Sequence, residues 1–190
     1  MPSGTYLHLD GQIEERFRCA PGGGGWRYVG ERADRGRADL TVDGGWRQIR
    51  VELAAPGVLI RGGAVGGREV RWVRAEVERE QSAAAAGFLG DSPGFLVAVA
   101  RSLRLDPGGD AVVPLVRVSG PALATLTVTQ RWRLAEITTY DTELAPLPVE
   151  RYEIADLATG EPMVVHLAGD VVLDAPGIAL ADLESPPTLG

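Results

Sequence analysis

The sequence predicts a mainly β protein: a long, curved antiparallel sheet, a β-roll or half-barrel, wrapped around a single central α-helix. One stretch, near residues 92–104, has apolar residues at helical spacing and is apolar on almost every side. Most of the remaining chain consists of short segments in which apolar and polar residues alternate, which is typical of strands with one buried face. Since no other stretch reads as a helix, the cover for this apolar helix has to be sheet.

The predicted helix begins after Ser92, a good N-cap residue, with Pro93 in the first turn, where its missing N–H costs nothing. Phe95, Val99 and Leu103 recur at helical spacing, and the sequence DPGGD at 106–110 ends the helix. Such a helix has to be buried.

Strands are predicted on both sides of the helix, and the chain reads as one domain, 1–190, without a dividing linker. Residues 78–86 read as a link or a helical turn, and the tail from about residue 184 reads as loose. The segment 123–137 is long enough that we expect a bulge to bend it. The strands are predicted at 6–10, 14–19, 26–29, 38–42, 46–53, 58–60, 70–77, 112–118, 123–137, 150–155, 163–168 and 171–173.

Alternation also predicts which side chains share a face. In the segment 46–53, Ile49, Val51 and Leu53 point one way, and Trp46 and Gln48 point the other. In the segment 70–77, the row that contains Val73 opposes the row that contains Trp72. The first row of each pair is the apolar one in composition, so we expect it to face the core.

Charge and composition exclude several classes of protein. The net charge of −7 argues against a nucleic-acid partner, because phosphate binding needs a basic surface. The 19 basic residues are all Arg, and the one cysteine, Cys19, lies in a strand-like run, which predicts a buried structural thiol. The sequence has neither a signal-peptide pattern nor an apolar run of about 18 residues, so we expect a cytoplasmic protein.

Catalytic and metal-binding motifs are not evident. His8 and His166 each lie in an alternating strand pattern without metal-ligand spacing, so we expect no metal and no cofactor. Glu14-Glu15 and Asp91 are carboxylate candidates, for which solvated turns and edges are the simpler interpretation. A Ser–His–acid triad stays open, because its members are distant in any sequence.

Aromatic and arginine side chains give the stronger signal for binding. Trp rings stack on the apolar faces of sugars, and neighbouring guanidinium groups suit a polar or anionic head. The alternative interpretation is that the rings fill the core and the arginines are solvated. The candidate ligand-binding residues are Trp46, Arg47, Trp72, Arg131, Trp132 and Tyr140.

The order and spacing of several segments resemble those of the bacterial glycolipid-binding family. The resemblance lies in the run from Arg37 to Arg47, in Gly67 to Val73, in Asp91-Ser92-Pro93 and in Gln130-Arg131-Trp132 followed by Tyr140. It implies a sheet rolled about one helix, similar to lipoprotein and lipid carriers, and a homodimer.

We therefore expect a non-enzymatic protein that holds a lipid or glycolipid between helix and sheet. Two alternatives stay open. A filled interior would indicate a structural or protein-interaction module, and a polar cluster in a cleft would indicate a small-molecule enzyme that uses the Arg-rich face.

Overall fold

The computed structural model describes residues 1–22, 24–77, 79–143 and 145–189. The protein is mainly β, as predicted, and its described strands form one sheet of 15 strands. The helix α1 spans Gly94–Leu103. The strands are β1 (Ser3–His8), β2 (Ile13–Gly22), β3 (Gly25–Arg32), β4 (Arg37–Val42), β5 (Gln48–Ala55), β6 (Val58–Ala64), β7 (Val70–Arg74), β8 (Arg79–Ala83), β9 (Gly87–Gly90), β10 (Asp110–Ser119), β11 (Ala124–Tyr140), β12 (Leu147–Asp156), β13 (Pro162–Ala168), β14 (Val171–Ala175) and β15 (Ile178–Ser185).

The strand order places the first and last chain segments in the middle of the sheet. Strand β1 pairs with β2 on one side and with β15 on the other, and the order ends at β8 and β9. These two edge strands are consecutive in the chain, joined by residues 84–86. Such a link spans at most about 15 Å when extended, so the adjoining ends of the two edge strands lie close together.

The helix is as buried as its composition predicts. Every residue from Gly94 to Ala100 is buried, and the helix contacts β3, β4, β9 and β14. Its start differs from the prediction, because Ser92 is not the N-cap. Pro93 holds that position with helical backbone angles and no side-chain cap, since the Ser92 hydroxyl instead donates to Glu15, at 3.2 Å.

One prediction about the chain's irregular segments is wrong. Residues 79–83, which fall in the predicted link at 78–86, form the edge strand β8. Residues 87–90 form the other edge strand, β9, for which the sequence predicted no element. The alternation rule misses β9 because the strand is short and buried on both faces, as is usual for a parallel partner, here β10. The last strand, β15, pairs with β1 as far as Ser185.

The face assignment of β7 is reversed, and that of β5 fails only at its start, because Val51 and Leu53 are buried as expected but Ile49 is not. Gln48 is buried and Ile49 is 47% exposed, because a register shift between Thr41 and Val42 disturbs the pairing of β4 with β5. In β7, Trp72 is buried and Val73 is 38% exposed, so the large indole takes the core-facing row.

The long strand β11 behaves as predicted. Its pairing with β12 shifts register between Leu134 and Glu136, which is the expected bulge. Cys19 is also buried, as predicted. The helix found in the described part of the chain is too short to cross a bilayer.

Candidate ligand-binding cleft

A cleft of about 450 Å³ opens beside the last turn of the helix. Five elements meet there: the start of β3, the β4–β5 turn, the helix, β12 and the β13–β14 turn. They contribute Trp26, Trp46, Arg101, Glu150 and Asp170 respectively. The cleft therefore combines indole rings with a guanidinium group and two carboxylates.

The aromatic wall consists of Trp26 and Trp46, whose ring centroids lie 5.4 Å apart at an interplanar angle of 42°. Trp26 is fixed because its Nε1 donates to the Asp170 carboxylate at 3.1 Å. Trp46 is half-buried, so part of its ring faces the cleft. The wall thus pairs a rigid ring with a more accessible one.

The prediction that Trp46 lies in a strand is wrong. The residue lies in the turn that precedes β5. Its backbone adopts a left-handed conformation, with φ of 63°. The Asp43 carboxylate holds this turn, because the N–H groups of Gly45 and Arg47 both donate to its Oδ1 at 2.9 Å. These backbone donors, with the Arg47 side chain, lower the pKa of Asp43.

The polar wall is centred on Arg101, in the last turn of the helix. Its Nη1 lies 2.7 Å from each carboxylate oxygen of Glu150, and its Nη2 donates to the carbonyl of Gly169 at 2.6 Å. The Tyr152 hydroxyl donates to Glu150 at 3.0 Å. Burial, followed by the charge of Glu150, raises the pKa of Tyr152, so this phenol remains a donor at neutral pH.

The end of the chain also closes the cleft. The Thr188 N–H donates to Oδ1 of Asp170 at 2.7 Å, while Oδ2 accepts from Trp26. Thr188 and Leu189 line the cleft. The segment after β15 therefore makes a hydrogen bond to the β13–β14 turn.

Two further spaces lie near the cleft. A space of about 210 Å³ lies between Val99 and Leu103 of the helix and Val113 of β10, and Trp46 borders both it and the cleft. Its wall also contains the polar residues Arg47, Gln48 and Ser102. A further space of about 440 Å³ shares Leu103 and Val113 with the second, extends along residues 84–86 and has a mainly apolar wall.

The arrangement suits a molecule with two different ends. Indole faces pack on apolar C–H surfaces, while the guanidinium group and the carboxylates bond with hydroxyl groups. The described residues contain no group of three or more His, Cys, Asp or Glu side chains arranged to hold a metal ion.

The predicted site residues fall into three groups. Trp46 and Arg47 border the space beside the cleft, and Arg47 pairs with Asp43 at 2.9 Å. Trp72 and Trp132 are buried in the core and line none of these spaces. Arg131 and Tyr140 are exposed on β11, and neither lines the cleft.

Sequence reasoning missed Trp26, Arg101, Glu150 and Asp170. They are far apart in the chain, so their meeting depends on the fold. Arg101 did give a signal, because it interrupts an otherwise apolar helix.

In structure, the chain is similar to a DUF1089 family protein from Pseudomonas aeruginosa, known from a crystal structure at 1.80 Å resolution. The alignment has a TM-score of 0.58, with 16% sequence identity, and covers 93% of this chain and 91% of that chain. No protein-family model and no curated protein matches the sequence. At this level of identity the likeness shows the fold alone: a mainly β chain of that architecture.

Proposed function

We propose that the protein binds a lipid or glycolipid without chemical conversion. The polar head lies in the cleft beside Arg101, and the apolar chain lies between the helix and β10. The observation that carries this proposal is the position of Trp46, which borders both the cleft and the space beside the helix. A ligand that passes this ring has the Arg101–Glu150 pair on one side and the side chains of Leu103 and Val113 on the other.

The curvature of the sheet belongs to the same proposal. We infer that the sheet curves around the helix, because its two edge strands are joined by residues 84–86. A side chain of β5, Gln48, also bonds to the main chain of the edge strand β9. In such a roll the interior is mostly filled by the helix, so the chain of the ligand lies at the helix's C-terminal end.

The head site suits a sugar or a similar polyhydroxyl group. The cleft volume of about 450 Å³ falls within the range of roughly 300–1,000 Å³ that is usual for small-molecule sites. The Arg101–Glu150 pair is already fixed by bonds to Gly169 and Tyr152, so binding orders few side chains.

Alkyl glucosides with chains of increasing length test the proposal. Binding is measured below the critical micelle concentration by isothermal titration calorimetry. Each buried methylene contributes about 0.8 kcal/mol, so the affinity is expected to rise by roughly fourfold per added carbon until the apolar spaces are filled. Glucose alone is expected to bind far more weakly than its alkyl derivatives.

Two variants locate the ligand. Trp46→Ala removes the ring between the two environments, and Leu103→Gln places a polar group in the apolar part. We expect Leu103→Gln to abolish the dependence on chain length and Trp46→Ala to weaken every member of the series. Tyr140→Ala is the matched aromatic control, because Tyr140 is 55% exposed on β11.

The competing interpretations make different predictions. An interaction module with a filled core would take up none of the alkyl glucosides. Affinity that is independent of chain length would overturn the proposed apolar site. The homodimer and the cytoplasmic location expected from the sequence stay predictions.

A further inference from the structure

A second cavity, of about 540 Å³, opens near the N-terminal end of the helix. It shares no lining residue with the ligand-binding cleft. His8, at the end of β1, forms part of its wall, although the residue is only 7% exposed. A buried imidazole that faces a cavity of this size is a candidate acid–base group.

Behind His8 lies a fully buried carboxylate, that of Glu15 on β2. Its Oε2 lies 2.7 Å from Nε2 of His8 and 3.2 Å from the Ser92 hydroxyl, and its Oε1 accepts from the Tyr28 hydroxyl at 2.6 Å. This finding corrects the sequence interpretation, which placed Glu15 at a solvated turn or edge. Glu15 faces inward together with Phe17, because the two residues are two positions apart in β2 and therefore share a face.

Three hydrogen-bonding groups surround the Glu15 carboxylate, those of His8, Tyr28 and Ser92. A carboxylate approached by three donors is an acceptor on both oxygens. Burial, followed by the negative charge of Glu15, raises the pKa of Tyr28 well above its ordinary value, so this phenol remains protonated and donates. Gly30 leaves the necessary space, because a Cβ there would collide with the Glu15 carboxylate.

This environment fixes the orientation of the His8 ring. When Nε2 carries the hydrogen that it donates to Glu15, the lone pair of the neutral imidazole is on Nδ1. In the described part of the chain Nδ1 has no hydrogen-bond partner, and the one wholly buried unpartnered side-chain nitrogen is that of Trp72. Nδ1 is therefore a free acceptor on a residue that borders the cavity.

Two guanidinium groups lie on the same cavity wall, those of Arg32 and Arg117. Each pairs with a carboxylate outside that wall: Arg32 with Asp34 at 2.8 Å, and Arg117 with Asp156 at 3.5 Å. The other charged residues of the wall are Asp10 and Asp91, and Asp91 accepts the N–H of Gly120 at 3.2 Å. The wall thus carries two guanidinium groups that are already paired and two carboxylates.

We propose that this cavity hydrolyses a small carboxylic ester, with His8 as the general base and Glu15 as a positioning residue. Nδ1 of His8 removes a proton from a water molecule as the water oxygen attacks the carbonyl carbon. The tetrahedral intermediate then breaks its bond to the alkoxy oxygen, which takes the proton back from His8. The products are a carboxylic acid and an alcohol, and His8 returns to its starting form.

The probe is p-nitrophenyl acetate, whose hydrolysis is followed by the absorbance of p-nitrophenolate. The chain suits this assay because it contains no Lys and because Cys19 is buried, so few other nucleophiles compete. In the variant His8→Gln, the amide N–H replaces the Nε2 donor to Glu15, but the cavity-facing nitrogen is lost. We expect kcat/KM to fall by about 100-fold, which is a usual contribution of a general base.

His166 supplies the matched control. It is the other histidine of the chain, and its Nδ1 lies 3.7 Å from Asp174 on the surface of the sheet. His166→Gln is expected to leave kcat/KM unchanged. If His8→Gln retains the wild-type rate while both variants melt like the wild type, the proposal is overturned.

Glu15→Gln tests the positioning role. A glutamine amide that donates to Nε2 would favour the opposite tautomer, which places a hydrogen on Nδ1 and removes the free acceptor. We expect kcat to fall and KM to stay unchanged, whereas a merely structural role would change both or neither.

A measurement on the unaltered protein covers the case in which these variants fail to fold. Diethyl pyrocarbonate is expected to modify His8, as located by peptide mass spectrometry. The loss of esterase activity should follow that modification, and hydroxylamine should restore the activity. Full activity after complete modification of His8 would contradict the proposal.

Discussion

The side-chain amide of Gln48 pairs with the main chain of Phe88 as a neighbouring strand would. Nε2 of Gln48 donates to the Phe88 carbonyl at 3.0 Å, and the Phe88 N–H donates to Oε1 at 2.7 Å. Strands β5 and β9 are not neighbours in the sheet, and β9 is one of its two edges. A single buried side chain therefore satisfies edge groups that no strand covers.

We predict that Gln48→Leu lowers the free energy of unfolding by about 2–4 kcal/mol, because it leaves a buried N–H and a buried carbonyl without partners. Urea unfolding followed by far-UV circular dichroism measures this change. Gln81→Leu is the matched control, since Gln81 lies on β8 and is only half-buried. Equal losses in the two variants would show that the Gln48–Phe88 pair contributes no special stability.

Two of the buried tryptophans, Trp72 and Trp132, should differ in their response to substitution by Phe. Nε1 of Trp132 donates to Oε1 of Gln130 at 3.0 Å, whereas the buried Nε1 of Trp72 has no partner among the described residues. Trp132→Phe leaves the side-chain oxygen Oε1 of Gln130 without its donor. We therefore expect Trp132→Phe to be more destabilising than Trp72→Phe by about 1–3 kcal/mol.

Chemical denaturation followed by circular dichroism compares these variants without relying on the replaced indole. The two substitutions remove a similar side-chain volume, so the packing loss is broadly matched. The reverse order of stability would contradict this account of the two indole groups.

The helix core supplies a third prediction. Val99 is 2% exposed, so Val99→Asp buries a charge without a partner and should cost several kcal/mol or abolish folding. Val112→Asp is the control, since Val112 is 51% exposed on β10. The test is the thermal melting profile, and a Val99→Asp protein that melts like the wild type would disprove the burial of the helix.

Asp39 should make stability depend on acid pH. Hydrogen bonds from Arg27, at 2.6 and 2.9 Å, are the main cause of the lowered pKa of its buried carboxyl group. Since the pKa is lower in the folded state, the stabilisation is complete above the unfolded value of about 4. It is lost as the pH falls through the lower, folded-state pKa.

Arg27→Gln should therefore raise the pKa of Asp39 in the folded protein and make the loss of stability below about pH 4 less steep. Melting temperatures between neutral pH and acid pH measure this slope. Arg61→Gln is the control, because the guanidinium of Arg61 is 67% exposed and its pair with Glu52 is screened by solvent. Parallel curves for wild type and Arg27→Gln would contradict the assignment.

Local patterns predicted the elements whose formation depends on neighbouring residues. The hairpin at Asp43 and Gly44, the bulge in β11 and the apolar helix each follow from a few adjacent side chains. The short buried strand β9 and the final strand β15 were missed, because their partners are distant in sequence and their own patterns are weak.

The candidate cleft was predicted only in part, because some of its residues give a local signal and others meet only in the folded chain. The turn signal and the aromatic residue drew attention to Trp46 and Arg47, which do border the described spaces. The bonds from Arg101 to Glu150 and from Trp26 to Asp170 join residues 49 and 144 positions apart, so no local pattern indicates them. The burial of Glu15 likewise depends on donors from three other segments.

The most direct test of the proposed function is a crystal structure of the protein grown with a medium-chain alkyl glucoside. The account predicts the sugar against the accessible face of Trp46, within bonding reach of Arg101, and the alkyl chain between Leu103 and Val113. A glucoside bound elsewhere on the chain, or a sugar seated in the cleft with its alkyl chain pointing into solvent, would contradict it.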